Sequence, residues 1–133
     1  MLSVIQNFIC TKSSRLNLLK QEMSKMGEIF KDYEFFINYG TEINLNEVHS
    51  IYKNNISKLN FYNNLEPNWG LITLSLLKQV KTPYILILCE DFTYEMDYKY
   101  WKSIMKEVIC DDISYMPLGR LWKYTKQEYL NGY

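Results

Sequence analysis

The chain has 133 residues, 47% of them hydrophobic, and a formal net charge of zero. This length suits a single domain spanning residues 1–133, and the hydrophobic share excludes a disordered chain. Because the charge is balanced, nothing attracts the chain as a whole to nucleic acid, and we predict no nucleic-acid partner.

The cysteine usage and the apolar runs bear on localisation. The longest apolar runs, such as residues 84–89, have the length of a strand and are too short to span a bilayer. Residues 1–10 have neither a basic leader nor a small-residue cleavage site, so we predict no signal peptide. Three cysteines, with Cys10 and Cys89 each ending an apolar run, are typical of buried thiols in a reducing compartment. We therefore expect a cytoplasmic protein.

The first forty residues predict a strand, a helix and a strand. Residues 3–10 (SVIQNFIC) have the composition of a buried strand, and so do residues 33–39 (YEFFINY), which end at Gly40. Between them we predict a helix that begins at Ser13 or Ser14 and stops at Gly27. Its apolar residues recur at helical spacing: Leu16, Leu19, Met23 and Met26.

The middle of the chain predicts two helices. The first is capped by Asn44 or Asn46, and its inward face consists of Val48, Ile51, Tyr52, Ile56 and Leu59. The second begins near Pro67 or Asn68 and ends before Thr82 and Pro83, with an inward face of Leu71, Leu74, Leu77 and Val80.

The last third begins with the most strand-like run of the chain, residues 84–89 (YILILC). Because this run is apolar throughout, we predict a central parallel strand that is covered on both faces. A helix follows, marked by Trp101, Ile104, Met105 and Val108, and then a short strand at residues 113–116 and a turn at residues 117–119. Residues 121–133 are amphipathic.

Strands that alternate with helices predict an α/β fold with a mostly parallel, Rossmann-like sheet flanked by helices. Such sheets bind ligands at the carboxyl ends of their strands, at the point where the strand order reverses. Three segments that follow predicted strands are therefore the candidates for a site: residues 10–15, 38–41 and 89–92.

The third segment carries the sharpest chemistry. Glu90 and Asp91 directly follow a buried strand, where two adjacent carboxylates repel each other. A divalent cation with a preference for hard oxygen ligands, Mg²⁺ or Mn²⁺, would relieve this repulsion and could bind diphosphate oxygens. The alternative is that both carboxylates are solvated loop or helix-cap residues.

The other two segments are less specific. CTKSSR (residues 10–15) could hold a phosphate at a helix N-terminus, but two serines before a helix are more often only a cap. In NYGT (residues 38–41), Asn38 could present its carbonyl to a base N–H, although a simple turn after a strand explains the same residues.

Taken in order, the three segments resemble the nucleotide-sugar-binding half of family 2-like GT-A glycosyltransferases over roughly residues 3–97. VIQNFICTKSSRLNLL is similar to the opening strand and Thr-x-Asn-Arg-type loop of that family, and FFINYGT to its second strand with an Asp-Asp-Gly-Ser turn. NWGLITLSLLKQVKTPYILILCEDF is similar to its Asn-x-Gly helix and the strand that runs into an Asp-x-Asp or Glu-Asp-Asp motif.

The resemblance implies a role for five residues. Thr11 and Arg15 would line the nucleotide-sugar pocket, and Asn38 would stand where an Asp usually contacts the base. Asp91 would be the ligand of the metal and the diphosphate, with Glu90 beside it near the ribose or the sugar.

The chain also departs from the family pattern. Asn38 replaces the usual acid, and either Cys89 or Phe92 occupies a place where the acidic motif has a carboxylate, depending on the register. The later region, which usually supplies the acceptor site, is largely absent. No catalytic base is assigned among the downstream acids, which are Glu95, Asp97, Asp111 and Asp112. We expect Glu95 and Asp97 to begin the following helix, where acids suit the helix dipole.

The resemblance thus implies an enzyme that transfers a sugar from a nucleotide-sugar donor to a glycan or another hydroxyl acceptor, assisted by Mg²⁺ or Mn²⁺. A second copy or a partner chain could complete the acceptor side. The first alternative is a catalytically inactive module of the same fold, and the second is an unrelated flavodoxin-like or receiver-type domain. The single histidine, His49, has no second His or Cys at ligand spacing, so a zinc site is not predicted.

Overall fold

The computed structural model describes residues 2–8, 13–40, 42, 44–88 and 97–110. Within them, four strands alternate with four helices, which confirms the predicted α/β class. In chain order they are β1 Leu2–Phe8, α1 Ser13–Ile29, β2 Glu34–Tyr39, α2 Leu45–Asn55, β3 Leu59–Tyr62, α3 Trp69–Leu77, β4 Tyr84–Leu88 and α4 Tyr98–Cys110.

The four strands form one parallel sheet with the order β3-β2-β1-β4. The first two crossovers move in one direction across the sheet, and the third returns past β1 to place β4 on its other side. Because such crossovers are right-handed, this reversal puts α1 and α2 on one face of the sheet and α3 on the other. The architecture is a Rossmann-like sheet flanked by helices.

Neighbouring residues of β1 point to opposite faces, and we name the faces after two of them. The Gln6 face is covered by α2, because the hydroxyl of Tyr52 donates to Oε1 of Gln6 at 2.6 Å. The Asn7 face is covered by α3, because a cluster of buried apolar side chains joins that helix to β1 and β2: Ile5, Phe36, Ile72 and Leu76.

The Gln6 face carries most of the aromatic packing. Phe30 directly follows α1 and packs edge-on against Trp101 of α4, with ring centroids 5.0 Å apart. Tyr33 meets the same indole, whose Nε1 donates to the Tyr33 hydroxyl at 3.0 Å. Trp101 is 1% exposed, so this tryptophan is a core residue, which is the more common role of a tryptophan at a helical position.

Gly27 does not stop α1, which continues to Ile29. A Cβ atom on Gly27 would lie 2.6 Å from the carbonyl oxygen of Asn55, at the end of α2. The glycine therefore serves the close approach of two helices rather than the end of one. The four apolar residues predicted for this helix, at positions 16, 19, 23 and 26, are all buried as expected.

The predictions for α2 and its surroundings need two corrections. Asn44 occupies the N-cap position of α2, but its φ of 59° is left-handed and its side chain makes no capping hydrogen bond. Leu59 was assigned to the helix face, whereas it begins β3, a strand that the sequence did not predict. Four residues (LNFY), with one asparagine among them and two directly after them, give too little periodicity to identify a strand.

The predicted inward face of α3 is half right, because Leu77 and Val80 are partly buried and pack against the cluster on the Asn7 face. Leu71 and Leu74 are 54% and 48% exposed, and the buried residues of the helix are Ile72, Thr73 and Leu76. The helix is apolar on nearly every side, so a pattern of leucines could not identify the side that meets the sheet. Asn68, one of the two predicted starts, does cap the helix, and its side chain accepts from the Leu71 N–H at 3.1 Å.

Strand β4 is not covered on both faces as predicted. Leu86 and Leu88 are buried on the Gln6 face, but Ile85 and Ile87 are 40% and 48% exposed on the Asn7 face. Within the described residues β4 pairs with β1 alone. The apolar run therefore predicted the strand correctly, but the prediction that both of its faces are covered was wrong.

The chain divides into two compact units, residues 1–101 and 102–133. The described part of the second unit, residues 102–110, is the continuation of α4. Asp97 begins this helix as predicted, since its carboxylate accepts from the Tyr100 N–H at 2.7 Å. The strand predicted at residues 113–116, the following turn and the amphipathic end lie outside the described residues. None of the described helices is both long and apolar enough to cross a membrane.

Candidate site at the carboxyl edge of the sheet

All four parallel strands end at the same edge of the sheet, which we call the carboxyl edge. The strand order reverses between β1 and β4, and the last paired residues of these strands are Gln6 and Leu88. A reversal of this kind opens a crevice outside the strand ends, because the chain leaves the two neighbouring strands toward opposite faces. The topology therefore places the expected binding position beside the ends of β1 and β4.

Two of the five predicted site residues are among the described ones. Arg15 lies in the first turn of α1, which follows β1, and it is half-buried. Asn38 lies in β2 at the carboxyl edge and is 1% exposed. Thr11, Glu90 and Asp91 lie outside the described residues, and the sequence places them three residues after β1 and two and three residues after β4.

Asn38 is held by three hydrogen bonds within the chain. Its Oδ1 accepts from the Asn64 backbone N–H at 2.8 Å, and its Nδ2 donates to the Asn64 carbonyl oxygen at 3.1 Å and to Asn7 Oδ1 at 3.3 Å. Both of its N–H donors are therefore used inside the protein. The observed contacts make Asn38 the link between β1, β2 and the segment after β3.

Asn7 is a site residue that the sequence analysis did not single out. It lies next to Asn38 in the parallel register and is 4% exposed. Its Oδ1 accepts from Asn38, but its Nδ2 is buried without an acceptor among the described residues. The available signal was a pair of amide side chains, Gln6 and Asn7, in a strand whose only other polar residue is Ser3.

The segment after β3 is ordered by its own side chains. Oδ1 of Asn64 accepts from the Glu66 N–H at 3.0 Å, and Oε1 of Glu66 accepts from the Asn68 N–H at 3.1 Å. Asn68 in turn caps α3. Because the backbone of Asn64 is also hydrogen-bonded to the Asn38 side chain, these successive turns connect the start of α3 to the sheet.

Apolar surface is exposed next to these amides in the sequence. Tyr62 ends β3 with 36% of its surface exposed, Leu65 is 51% exposed, and Trp69 begins α3 with 48% exposed. An exposed tryptophan at this place offers an aromatic surface against which a sugar could stack.

The carboxylates needed for a metal site have to come from outside the described residues. Among the residues with described positions, no group of three or more His, Cys, Asp or Glu side chains could hold an ion. The donor set that fits Mg²⁺ or Mn²⁺ is the pair Glu90 and Asp91, whose hard carboxylate oxygens suit these ions.

Comparison with known protein families, with curated proteins and with solved structures finds no match for this chain.

Proposed function

We propose that this chain binds a nucleotide-sugar at the carboxyl edge of its sheet and acts as a GT-A-like glycosyltransferase. The acceptor would be a hydroxyl group, on a glycan or on another molecule. Glu90 and Asp91 would hold Mg²⁺ or Mn²⁺, Thr11 and Arg15 would line the pocket, and Asn38 would stand beside the base.

The observation that carries the proposal is the reversal of strand order between β1 and β4. The two candidate motifs, at residues 10–15 and 89–92, follow the ends of these two neighbouring strands in the sequence. Motifs that are far apart in the sequence are thus attached to adjacent points of the sheet. This is the arrangement that a nucleotide-binding crevice requires.

The roles of the chain's own residues follow from their chemistry. The guanidinium of Arg15, a residue in the first turn of α1, would pair with phosphate oxygens, for which its planar fork of donors is suited. A divalent cation bound by Glu90 and Asp91 would neutralise charge that develops on the departing nucleoside diphosphate. The hydrogen bonds of Asn38 to Asn7 and Asn64 would keep the crevice wall rigid before the ligand arrives.

One observation favours the second candidate, a catalytically inactive module of the same fold. Both N–H groups of the Asn38 side chain donate to other groups of the protein, so this amide stabilises the fold whether or not a nucleotide binds. An inactive module could keep these structural hydrogen bonds after the acidic motif has lost its metal. Metal-dependent nucleotide binding distinguishes the two candidates, because the inactive module should show none.

The test is thermal unfolding of the full chain with UDP-, GDP-, CMP- and dTDP-sugars, with and without Mn²⁺. A ligand that binds only the folded state raises the unfolding midpoint. We expect a rise with one nucleotide class that depends on Mn²⁺ and is lost in Asp91→Asn.

Asp97→Asn is the matched control. It makes the same chemical change six residues later, and Asn can still accept the Tyr100 N–H at the start of α4. This variant should keep the full ligand-induced rise. A well-folded wild type whose midpoint responds to none of these ligands would refute the proposed function.

A further inference from the structure

The hydrogen bonds at the carboxyl edge determine how the amide of Asn7 is oriented. The Asn64 backbone N–H can only donate, so the atom of Asn38 that it meets at 2.8 Å must be the oxygen. The other terminal atom of Asn38 is therefore the nitrogen, and it donates to Asn7. If the oxygen and nitrogen of the Asn7 amide were exchanged, the NH₂ groups of Asn7 and Asn38 would face each other at 3.3 Å. The network thus requires the oxygen of Asn7 to face Asn38.

It follows that the unpaired atom of Asn7 is a donor. Its Nδ2 has no acceptor in the part of the chain that the structure describes, although the residue is 4% exposed. A buried amide N–H left unpaired destabilises the folded state, because it has lost its bond to water and gained none in return. Accepting the hydrogen bond from Asn38 does not by itself require an asparagine at position 7. A hydroxyl or a carboxylate there could accept the same hydrogen bond.

The position of this donor agrees with a ligand at the strand reversal. Asn7 follows Gln6, which is the last residue of β1 paired with β4. The oxygen of Asn7 is the terminal atom that faces Asn38 on β2, so Nδ2 is the terminal atom that β2 does not engage. On the other side of β1 lies β4, across the point where the strand order reverses.

We propose that Asn7 Nδ2 donates a hydrogen bond to the bound nucleobase at the carbonyl oxygen on C4 of a pyrimidine or C6 of a purine, and so selects the base. This inference rests on the proposed function. Uracil, thymine and guanine carry a carbonyl where cytosine and adenine carry an amino group, so the donor favours the first three. Because Nδ2 is shielded from water, its bond to the base replaces no bond to solvent and contributes fully to selectivity.

The test is calorimetric titration of the full chain with UDP, GDP, CDP and ADP in the presence of Mn²⁺. We expect wild type to bind at least one of the keto-base nucleotides, UDP or GDP, more than tenfold tighter than its amino-base counterpart, CDP or ADP. Asn7→Asp keeps an acceptor for Asn38 and replaces the donor with a second acceptor. This variant should lose tenfold or more in affinity for the keto base and shift its preference to the amino base of the same ring size.

Thr73→Val is the control for a general effect of buried polar groups. Thr73 lies on α3 and is 7% exposed, and its hydroxyl also lacks a partner among the described residues. This variant should keep the wild-type ranking of the four nucleotides. If Asn7→Asp does not fold, the side-chain NH₂ resonance of Asn7 in the wild type gives the answer, since it should shift on saturation with the preferred nucleotide.

The outcomes distinguish the two proposals. A wild type that binds none of the four nucleotides, and none of the UDP-, GDP-, CMP- and dTDP-sugars either, overturns the proposed function and this inference with it. A wild type that binds without preference for a keto base, an Asn7→Asp variant with the wild-type ranking, or an unmoved Asn7 resonance overturns only the role of Asn7.

Discussion

The two faces of the sheet differ in how completely their apolar side chains are buried. On the Gln6 face, the side chains of β2 that meet the helices are Phe35, Ile37 and Tyr39, and each is 0% exposed. On the Asn7 face, α3 buries Ile5 and Phe36, but other apolar side chains of the same side are exposed. Those on the strands and on α3 are Tyr62, Trp69, Leu71, Leu74, Ile85 and Ile87.

The polar groups differ in the same way. Gln6 and Asn7 are neighbours in β1, and both are at least 96% buried. Gln6 accepts a 2.6 Å hydrogen bond from Tyr52, whereas Asn7 keeps an unpaired donor. The Gln6 face is therefore the more completely packed of the two, and the Asn7 face contains the unpaired donor to which we assign a ligand. Proteins often place function where local packing is least complete.

The largest expected effect comes from the same truncation on the two faces. Ile37→Ala removes a fully buried side chain on the Gln6 face and should lower the free energy of unfolding by about 3 kcal/mol. Ile87→Ala removes a side chain that is 48% exposed on the Asn7 face and should cost about 1 kcal/mol. Urea unfolding of both variants measures the difference, and equal losses would contradict the contrast between the faces.

Two glycines allow a comparison of helix packing. Gly27→Ala should lower the free energy of unfolding by about 2 kcal/mol, because the added methyl group meets the Asn55 carbonyl oxygen at 2.6 Å. Gly70→Ala on α3 meets only the side-chain oxygen of Asn68, at 3.2 Å. Since alanine also favours the helix, its effect should stay within about 1 kcal/mol of zero. Chemical unfolding of the two variants checks this, and a harmless Gly27→Ala would mean that α1 and α2 are not in tight contact.

The smallest expected effects concern single hydroxyl groups. Tyr52→Phe leaves the buried oxygen of Gln6 without its donor and should cost about 1.5 kcal/mol. Thr73→Val removes a buried hydroxyl that has no partner among the described residues, and should be neutral or stabilising by up to about 1 kcal/mol. The midpoints of thermal unfolding should therefore move in opposite directions or by clearly different amounts. A loss of stability in Thr73→Val as large as that in Tyr52→Phe would show that the hydroxyl of Thr73 is satisfied.

The sequence predicted elements with a clear period and failed where the pattern was ambiguous. The spacing of Leu16, Leu19, Met23 and Met26 identified both α1 and its buried side. On α3 the apolar residues surround the helix, so the same reasoning chose Leu71 and Leu74, which are exposed. The order of strands in the sheet depends on contacts between distant segments, and no local pattern encodes it.

The candidate site was predicted only in part, for a related reason. Strand ends could be located in the sequence, and Asn38 was identified as a residue at such an end. Its partners could not be identified, because Asn7 and Asn64 are 31 and 26 residues away from it. The unpaired donor of Asn7 emerges only when the orientations of all three amides are considered together. Thr11, Glu90 and Asp91 remain predictions.

The most direct test of the central claim is to map a bound nucleotide on the backbone amides by ¹⁵N–¹H correlation spectra. The account predicts that the preferred nucleotide with Mg²⁺ shifts amides at the carboxyl edge, such as those of Asn7, Asn38 and Leu88. Amides at the opposite ends of the same strands, such as those of Ser3, Glu34 and Ile85, should stay in place. Shifts confined to that opposite edge, or no shifts with any nucleotide, would contradict the account.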